Sequence, residues 1–311
     1  MNAPKAKARE LAAPKQLHMT TRARKLWHLF VHLRLHYQLM FLSPLFVWGF
    51  ALGGGQPSRN AAVGFVAFHV FLYGGITAYN SFYDRDEGPV GGLRHPPPVS
   101  ASLLGFSLGV QLIGLALCVW LSWELALWYA IVMALSVAYS HPSLRWKSRP
   151  LLSLLVVGLG QGAVGFRAGW LCAQTPVALL SRSLDGLLGM TAAVLLTMGF
   201  YPLSQLYQIE EDRQRGDSTF AVAYGPNASF GFALSCLMAG GLCMAYVAFS
   251  RFGARDALLA IAAQLLLWWV VFRWYRTFQS QVLTNFITLH RLQFGVSVCT
   301  LGYLSLRLLL H

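Results

Sequence analysis

The sequence predicts an all-α, polytopic membrane bundle of about nine transmembrane helices around a central cavity. Only 11% of its 311 residues are charged against 56% hydrophobic, and the mean hydropathy is +0.52. A soluble domain carries about 25% charged residues, so lipid is the expected solvent. Apolar runs of ~20 residues recur along the chain, the length at which a helix crosses the hydrocarbon core. They exceed the ~10 residues of a barrel strand and do not alternate in polarity.

Residues 1–36 precede the first run. They hold Lys5, Lys7, Arg9, Lys15, Arg22, Arg24 and Lys25 against one acid, Glu10. They contain no apolar h-region, so no signal peptide is expected. The segment reads as a basic cytoplasmic tail, with a transit peptide as the alternative. Its end, "KLWHLFVHLRLHY" (25–37), predicts a short amphipathic helix at the membrane surface. His28, His32 and His36 share a face of that helix and read as interfacial histidines rather than metal ligands. Arg34 is within reach of a phosphate, with surface anchoring as the preferred reading.

Residues 37–311 form the nine-helix domain, with spans at 38–55, 61–80, 100–122, 123–140, 150–173, 187–206, 227–250, 255–275 and 290–310. The splits at Ser122–Glu124 and Arg251–Arg255 rest on little sequence. Cys118, Cys172, Cys236, Cys243 and Cys299 all fall inside spans without a CxxC pair. They read as small packing residues. Gly158 with Gly162, and Gly165 with Gly169, are small-xxx-small pairs that pack helices. Arg167 lies inside the fifth span and is expected to snorkel to the outer face.

Charge sets the orientation. With the N-terminus inside, the inner loops hold Arg85, Arg94, Arg145, Lys147, Arg149, Arg213, Arg215, Arg273, Arg276 and Arg291. The outer loops hold Arg59, Arg182, Arg251 and Arg255. The positive-inside rule then places the N-terminus in the cytoplasm, as expected for a bacterial inner (cell) membrane. The net charge of +13 follows this topology, and no nucleic-acid partner is implied.

The acids carry the functional signal. Of 11 Asp and Glu residues, Asp84, Asp86 and Glu87 follow the second span; Glu210, Glu211, Asp212 and Asp217 follow the sixth. Both groups lie on the inner face, four spans apart, which suggests two similar halves. Asn80 and Asp84 are four apart, as are Gln208 and Asp212, so each pair shares a helix face. Such hard oxygen donors suit Mg²⁺ and suit zinc or copper poorly. The candidate metal set is Asn80, Asp84, Asp86, Gln208, Glu211 and Asp212. "YSHPSLRWKSRP" (139–150) supplies Arg145 and Lys147 for phosphate oxygens. A phosphate site at the mouth of a hydrocarbon interior points to a lipid diphosphate.

Together, "NSFYDRDE", "YSHPSLRWKSRP" and "YQIEEDRQRGDSTFAVAYG" resemble, in order, the first motif, the basic loop and the second motif of UbiA-type intramembrane prenyltransferases. The resemblance runs from about residue 30 to the end. It implies transfer of an isoprenyl group from an isoprenyl diphosphate to an aromatic or lipid acceptor, with Mg²⁺ assisting departure of the diphosphate. It gives Asp84 and Asp212 the catalytic role and Arg145 and Lys147 the diphosphate. Two positions depart from the family pattern: Gly88 and Gln208 stand where an acid is usual. These changes put a second metal ion in question. The alternative reading is a non-catalytic membrane transporter or binding protein on the same fold.

Overall fold

The computed structural model describes residues 21–174 and 177–310. The tail lysines Lys5, Lys7 and Lys15, with Arg9, lie outside the described residues. Among those described, the chain is helical throughout, with one isolated bridge between Val90 and Leu93. Nine helical stretches in this set are long and apolar enough to cross a membrane.

Helix α1 (Thr21–Val31) carries an exposed apolar face of Leu26, Trp27 and Phe30, as expected of a surface helix. It then breaks. Arg34 adopts a left-handed backbone (φ +49), and α2 (residues 35–52) starts beyond it. This break separates the three histidines. His32 is buried, His36 is exposed and meets the Gly92 carbonyl at 3.2 Å, and neither reading of a shared histidine face holds.

The remaining helices are α3 (Arg59–Asp84), α4 (Ser102–Leu121), α5 (Trp123–Ser140) and α6 (Pro150–Cys172). They continue with α7 (Val177–Arg182), α8 (Leu184–Gln205), α9 (Ile209–Arg215), α10 (Phe220–Phe252), α11 (Ala254–Arg276) and α12 (Val282–Leu310). The two uncertain splits are real. Ser122 is extended, and its hydroxyl caps α5 by accepting from the Leu125 N–H at 3.1 Å. Gly253, at φ +92, divides α10 from α11.

Helices α10 and α12 start earlier than their apolar runs. The start of α10 is kinked at Gly225–Pro226, so hydropathy sees only the part after the kink. The start of α12 carries Thr284, Asn285 and His290, but Phe286 and Leu289 are buried in a core shared with α8, α10 and α11. Tertiary packing, not local hydropathy, extends the helix.

Close backbone crossings hold the bundle. A Cβ at Gly49 would stand 1.9 Å from the Phe166 carbonyl oxygen, and one at Gly169 would stand 1.9 Å from that of Phe46. Only glycine lets α2 and α6 approach so closely, as the small-residue spacing predicts. Three helices contain π-helical stretches, at Gln38–Leu42, Ala67–Tyr73 and Gly158–Ala163. Tyr73 donates to the Gly160 carbonyl at 3.1 Å, tying two of them together. The guanidinium of Arg167 lies 4.1 Å over the Trp128 ring, so a cation–π contact with α5 holds it within the bundle. All five cysteines are free.

Candidate functional site

Helix α3 ends on Asp84, because Arg85 turns left-handed (φ +52) behind it. The carboxylate therefore sits at a helix C-terminus, where the dipole disfavours negative charge. Compensation comes from the loop after α5. There a 3₁₀ turn, Trp146–Ser148, brings the Lys147 ammonium to 2.5 Å from Asp84 Oδ1. Asn80, one turn back, donates to Asp84 Oδ2 at 2.6 Å and to Ser140 at 3.2 Å. Both oxygens of Asp84 are thus occupied by donors.

The second half contributes α9. Gln208 precedes it, and its carbonyl accepts the Asp212 N–H at 2.8 Å. Asp212 lies in the first turn, the end that favours a carboxylate. It is buried, and Thr219 donates to its Oδ2 at 3.1 Å. Burial pushes its carboxyl up to about 7, against the opposing pull of Lys147, Thr219 and Arg215.

Asn80, Asp84, Asp86, Lys147, Gln208 and Asp212 all stand in the wall of one cavity of about 1080 Å³. Arg34, Tyr139, Tyr201, Arg215 and Thr219 share its polar end. Away from it the lining is mostly apolar, with Trp48, Leu196, Phe200, Met244, Ala248, Leu267 and Leu304, and Gln161, Gln264 and Gln293 among the polar exceptions. On the side between α11 and α12 the wall includes Leu259 and Leu266, both largely exposed on the bundle's outer surface. The cavity is therefore a polar cup leading into a hydrocarbon-lined space.

Two of the sequence-derived site residues stand elsewhere. Arg145 does not line the cavity; its Nε and Nη2 donate to Asp217 at 2.7 and 2.9 Å. Glu211 is also outside the wall; its Oε1 accepts from the Glu87 N–H and from Arg215, each at 3.0 Å. It sits against Gly88, where a Cβ would stand 2.7 Å from Glu211 Oε2. Asp217 is fully enclosed and also receives Lys147 at 3.0 Å and the Ser148 hydroxyl. Burial opposes its charge, but the Arg145, Lys147 and Ser148 hydrogen bonds outweigh it and hold the carboxyl below the usual range.

Three participants take places that the preferred sequence reading does not give them. Arg34 is buried rather than a surface anchor. It donates to Ser81 at 2.7 Å and lies 3.8 Å from Asp86. Gly91 makes room for it: φ is +43, and a Cβ there would stand 2.4 Å from Arg34 Nη1. Arg215 crosses from α9 to Asp86 at 2.9 Å. Asp217 organises the basic loop instead of joining the wall. The adjacent glycines at 91 and 92, and a lone acid following "DRQRG", are the sequence signals for the first and third.

A model of the UbiA prenyltransferase family matches residues 42–290. The chain belongs to the UbiA prenyltransferase family. Its membrane helices and its resemblance to other UbiA proteins mark it as an integral, multi-pass membrane protein. A lycopene elongase/hydratase of Haloferax volcanii is 30% identical over 67% of this chain and 65% of its own length. A UbiA homologue from Archaeoglobus fulgidus bound to DMAPP and Mg²⁺ superposes with a TM-score of 0.64 at 19% identity, covering 88% of this chain and 99% of that one. The same homologue bound to GPP and Mg²⁺ gives a TM-score of 0.60 at 19% identity, over 86% and 99% of the two chains. At these identities the structural likeness establishes the UbiA fold.

The donor set fits a hard cation. Every candidate in the cavity wall offers oxygen, without thiol or imidazole, and Asp86 Oδ2 is buried with no hydrogen-bond partner. Among the described residues no three acids, histidines or cysteines converge into a protein-only cage. Mg²⁺ needs none: it keeps waters and binds through one or two carboxylates plus substrate phosphates.

Proposed function

We propose that this protein transfers an isoprenyl group from an isoprenyl diphosphate to a long, hydrophobic polyene acceptor inside the membrane. The observation that carries the reading is the joining of acids and cations from both halves at the polar end of one large apolar cavity. The diphosphate belongs in the cup and the hydrocarbon beyond it. The DMAPP- and GPP-bound Archaeoglobus fulgidus homologue supports the donor class. The Haloferax volcanii lycopene elongase/hydratase supports a polyene acceptor over an aromatic one.

Mg²⁺, held through Asp84, Asp86 and Asp212 with Asn80 and Gln208 beside them, would neutralise diphosphate charge. The chain's own groups do the rest. Lys147 is fixed between Asp84 and Asp217, so its ammonium faces the phosphate oxygens without reorganising. Breaking the C1–O bond leaves pyrophosphate and an allylic cation. A terminal double bond of the acceptor supplies the electron pair for the new C–C bond, and loss of a proton or addition of water closes the reaction. The paired hydroxyls of Tyr139 and Tyr201, 2.6 Å apart in the wall, present oxygen near the reacting carbon. The apolar lining excludes bulk water from the cation. The excess of Lys and Arg in the motif-side loops supports an N-terminus and a diphosphate cup facing the cytoplasm of a cell membrane.

The test uses purified protein, DMAPP or GPP, and lycopene or an aromatic acceptor in detergent, with and without Mg²⁺. Pyrophosphate release and a prenyl mass gain on lycopene are expected only with Mg²⁺. Absence of pyrophosphate with every pair would overturn the reading.

A further inference from the structure

Arg215 is the last residue of α9, and Gly216 (φ +77) ends the helix behind it. Its guanidinium reaches back across the cup to the first half. Nη2 lies 2.9 Å from Asp86 Oδ1 and 3.0 Å from Glu211 Oε1, while Nη1 stays 4.0 Å from Asp84 Oδ2. One arm is therefore committed, and the other has no carboxylate within hydrogen-bonding distance. The side chain keeps 18% exposure, against 5% for Lys147 and 4% for Arg34. It also lines the cavity. Of these three cations, Arg215 is the one most open to a ligand.

The surrounding acids are committed in a matching way. Asp86 gives one oxygen to Arg215; the other accepts no hydrogen bond and faces Arg34 Nη2 at 3.8 Å. Asp84 is held by Lys147 and Asn80. Glu211 is turned onto the Glu87 N–H and Arg215, and occupies the space that a side chain at Gly88 would need. A second divalent ion placed between Asp86 and Glu211 would have to expel a guanidinium already bonded to both. The neutral Gln208 offers such an ion only weak ligation.

We infer that Arg215 is a diphosphate-binding residue: a fixed cation that fills the place between Asp86 and Glu211, where a second divalent ion would otherwise sit, and limits the site to one such ion. The inference rests on the diphosphate reading above and adds to it which charge meets the phosphate. A guanidinium presents planar, parallel N–H donors matched to phosphate oxygens. Arg215 and Lys147 approach Asp84 as two separate cations. They take the charge that builds on the leaving oxygens as the C1–O bond opens, and the pyrophosphate leaves with both electrons of that bond.

The test counts ions. Full-length protein in detergent is saturated with a non-reacting thiolo-diphosphate analogue of GPP and titrated with Mn²⁺, and bound ion is followed by electron paramagnetic resonance. One Mn²⁺ per chain is expected; two would overturn the inference and leave the prenyl-transfer reading standing. Calorimetry of the analogue at fixed Mn²⁺ gives the second readout. R215A should weaken analogue binding at least tenfold and R215K by less, each with the wild-type helical circular dichroism. Unchanged affinity in folded R215A would overturn it. If R215A does not fold, the wild-type ion count still decides. Failure of the analogue to bind wild-type protein at any Mn²⁺ concentration would instead sink the diphosphate reading itself.

Discussion

Asp86 and Arg215 lie 129 residues apart in sequence and meet at 2.9 Å in the cavity wall. The pair ties the loop after α3 to the end of α9. With the Glu87 N–H to Glu211 bond it directly links the two acid-bearing halves, and it is nearly dry, with Asp86 only 3% exposed.

Removing one partner of a buried pair leaves an uncompensated charge, which costs about 3–5 kcal/mol. Arg34 also faces Asp86 at 3.8 Å, so the loss of Asp86 takes away the carboxylate facing Arg34 and leaves Arg215 with Glu211. Asp86→Asn should lower the thermal midpoint in detergent clearly, and Asp86→Asn with Arg215→Gln should recover part of the loss. Additive losses in that double-mutant cycle would show that the two side chains do not interact.

Asp217 holds the basic loop from behind. It receives two bonds from Arg145, one from Lys147 and one from Ser148. Asp217→Asn should release that loop and leave Lys147 tied to Asp84 alone. The expected result is about a tenfold weaker binding of isoprenyl diphosphate with the helical fold kept, measured by calorimetry. Wild-type affinity in the variant would mean that Lys147 needs no support from behind.

The Asp212 carboxyl, raised to about 7 by burial, gives a pH signature. In the ligand-free protein the folded state binds a proton that the unfolded chain, with an ordinary carboxylate near 3.9, gives up. The stabilisation from this group is complete below about pH 4 and is lost as pH rises through 7. A cation must compete with the same proton. Mn²⁺ affinity in the presence of a diphosphate analogue should therefore rise about tenfold per unit between pH 5 and 6.5 and level off above 7.5. A flat profile across that range would remove Asp212 from the cation's surroundings.

Cavity depth should set acceptor and donor length. Ala248 is buried and lines the apolar end beside Trp48, Met244 and Leu304. Ala248→Phe should shorten that end, reduce turnover with GPP more than with DMAPP, and leave the diphosphate affinity near wild type. Equal effects on both donors, read as kcat/KM, would place the prenyl chain elsewhere.

The spans were legible because twenty-residue apolar runs have few other uses, and scarce acids made Asp84, Asp86 and Asp212 stand out. The ends of α10 and α12 were not legible: Phe220 and Val282 precede polar or kinked stretches that helix packing overrides. Arg145 read as a phosphate ligand because it is basic and adjacent to Lys147. Its partner, Asp217, lies 72 residues on, and nothing local announces the pair. Arg34 read as an anchor because hydropathy cannot see the left-handed turn and the Gly91 loop that enclose it. Long-range pairing, rather than composition, separates the cations facing the cavity from those behind it.

The most direct test of the central claim is anomalous scattering from Mn²⁺ in protein bound to a non-reacting isoprenyl diphosphate analogue. The ion should lie at the polar end of the cavity within ligand distance of the diphosphate and a carboxylate of Asp84, Asp86 or Asp212, with the hydrocarbon tail running toward Leu196 and Ala248. Density for the ion or the diphosphate away from that end would contradict it.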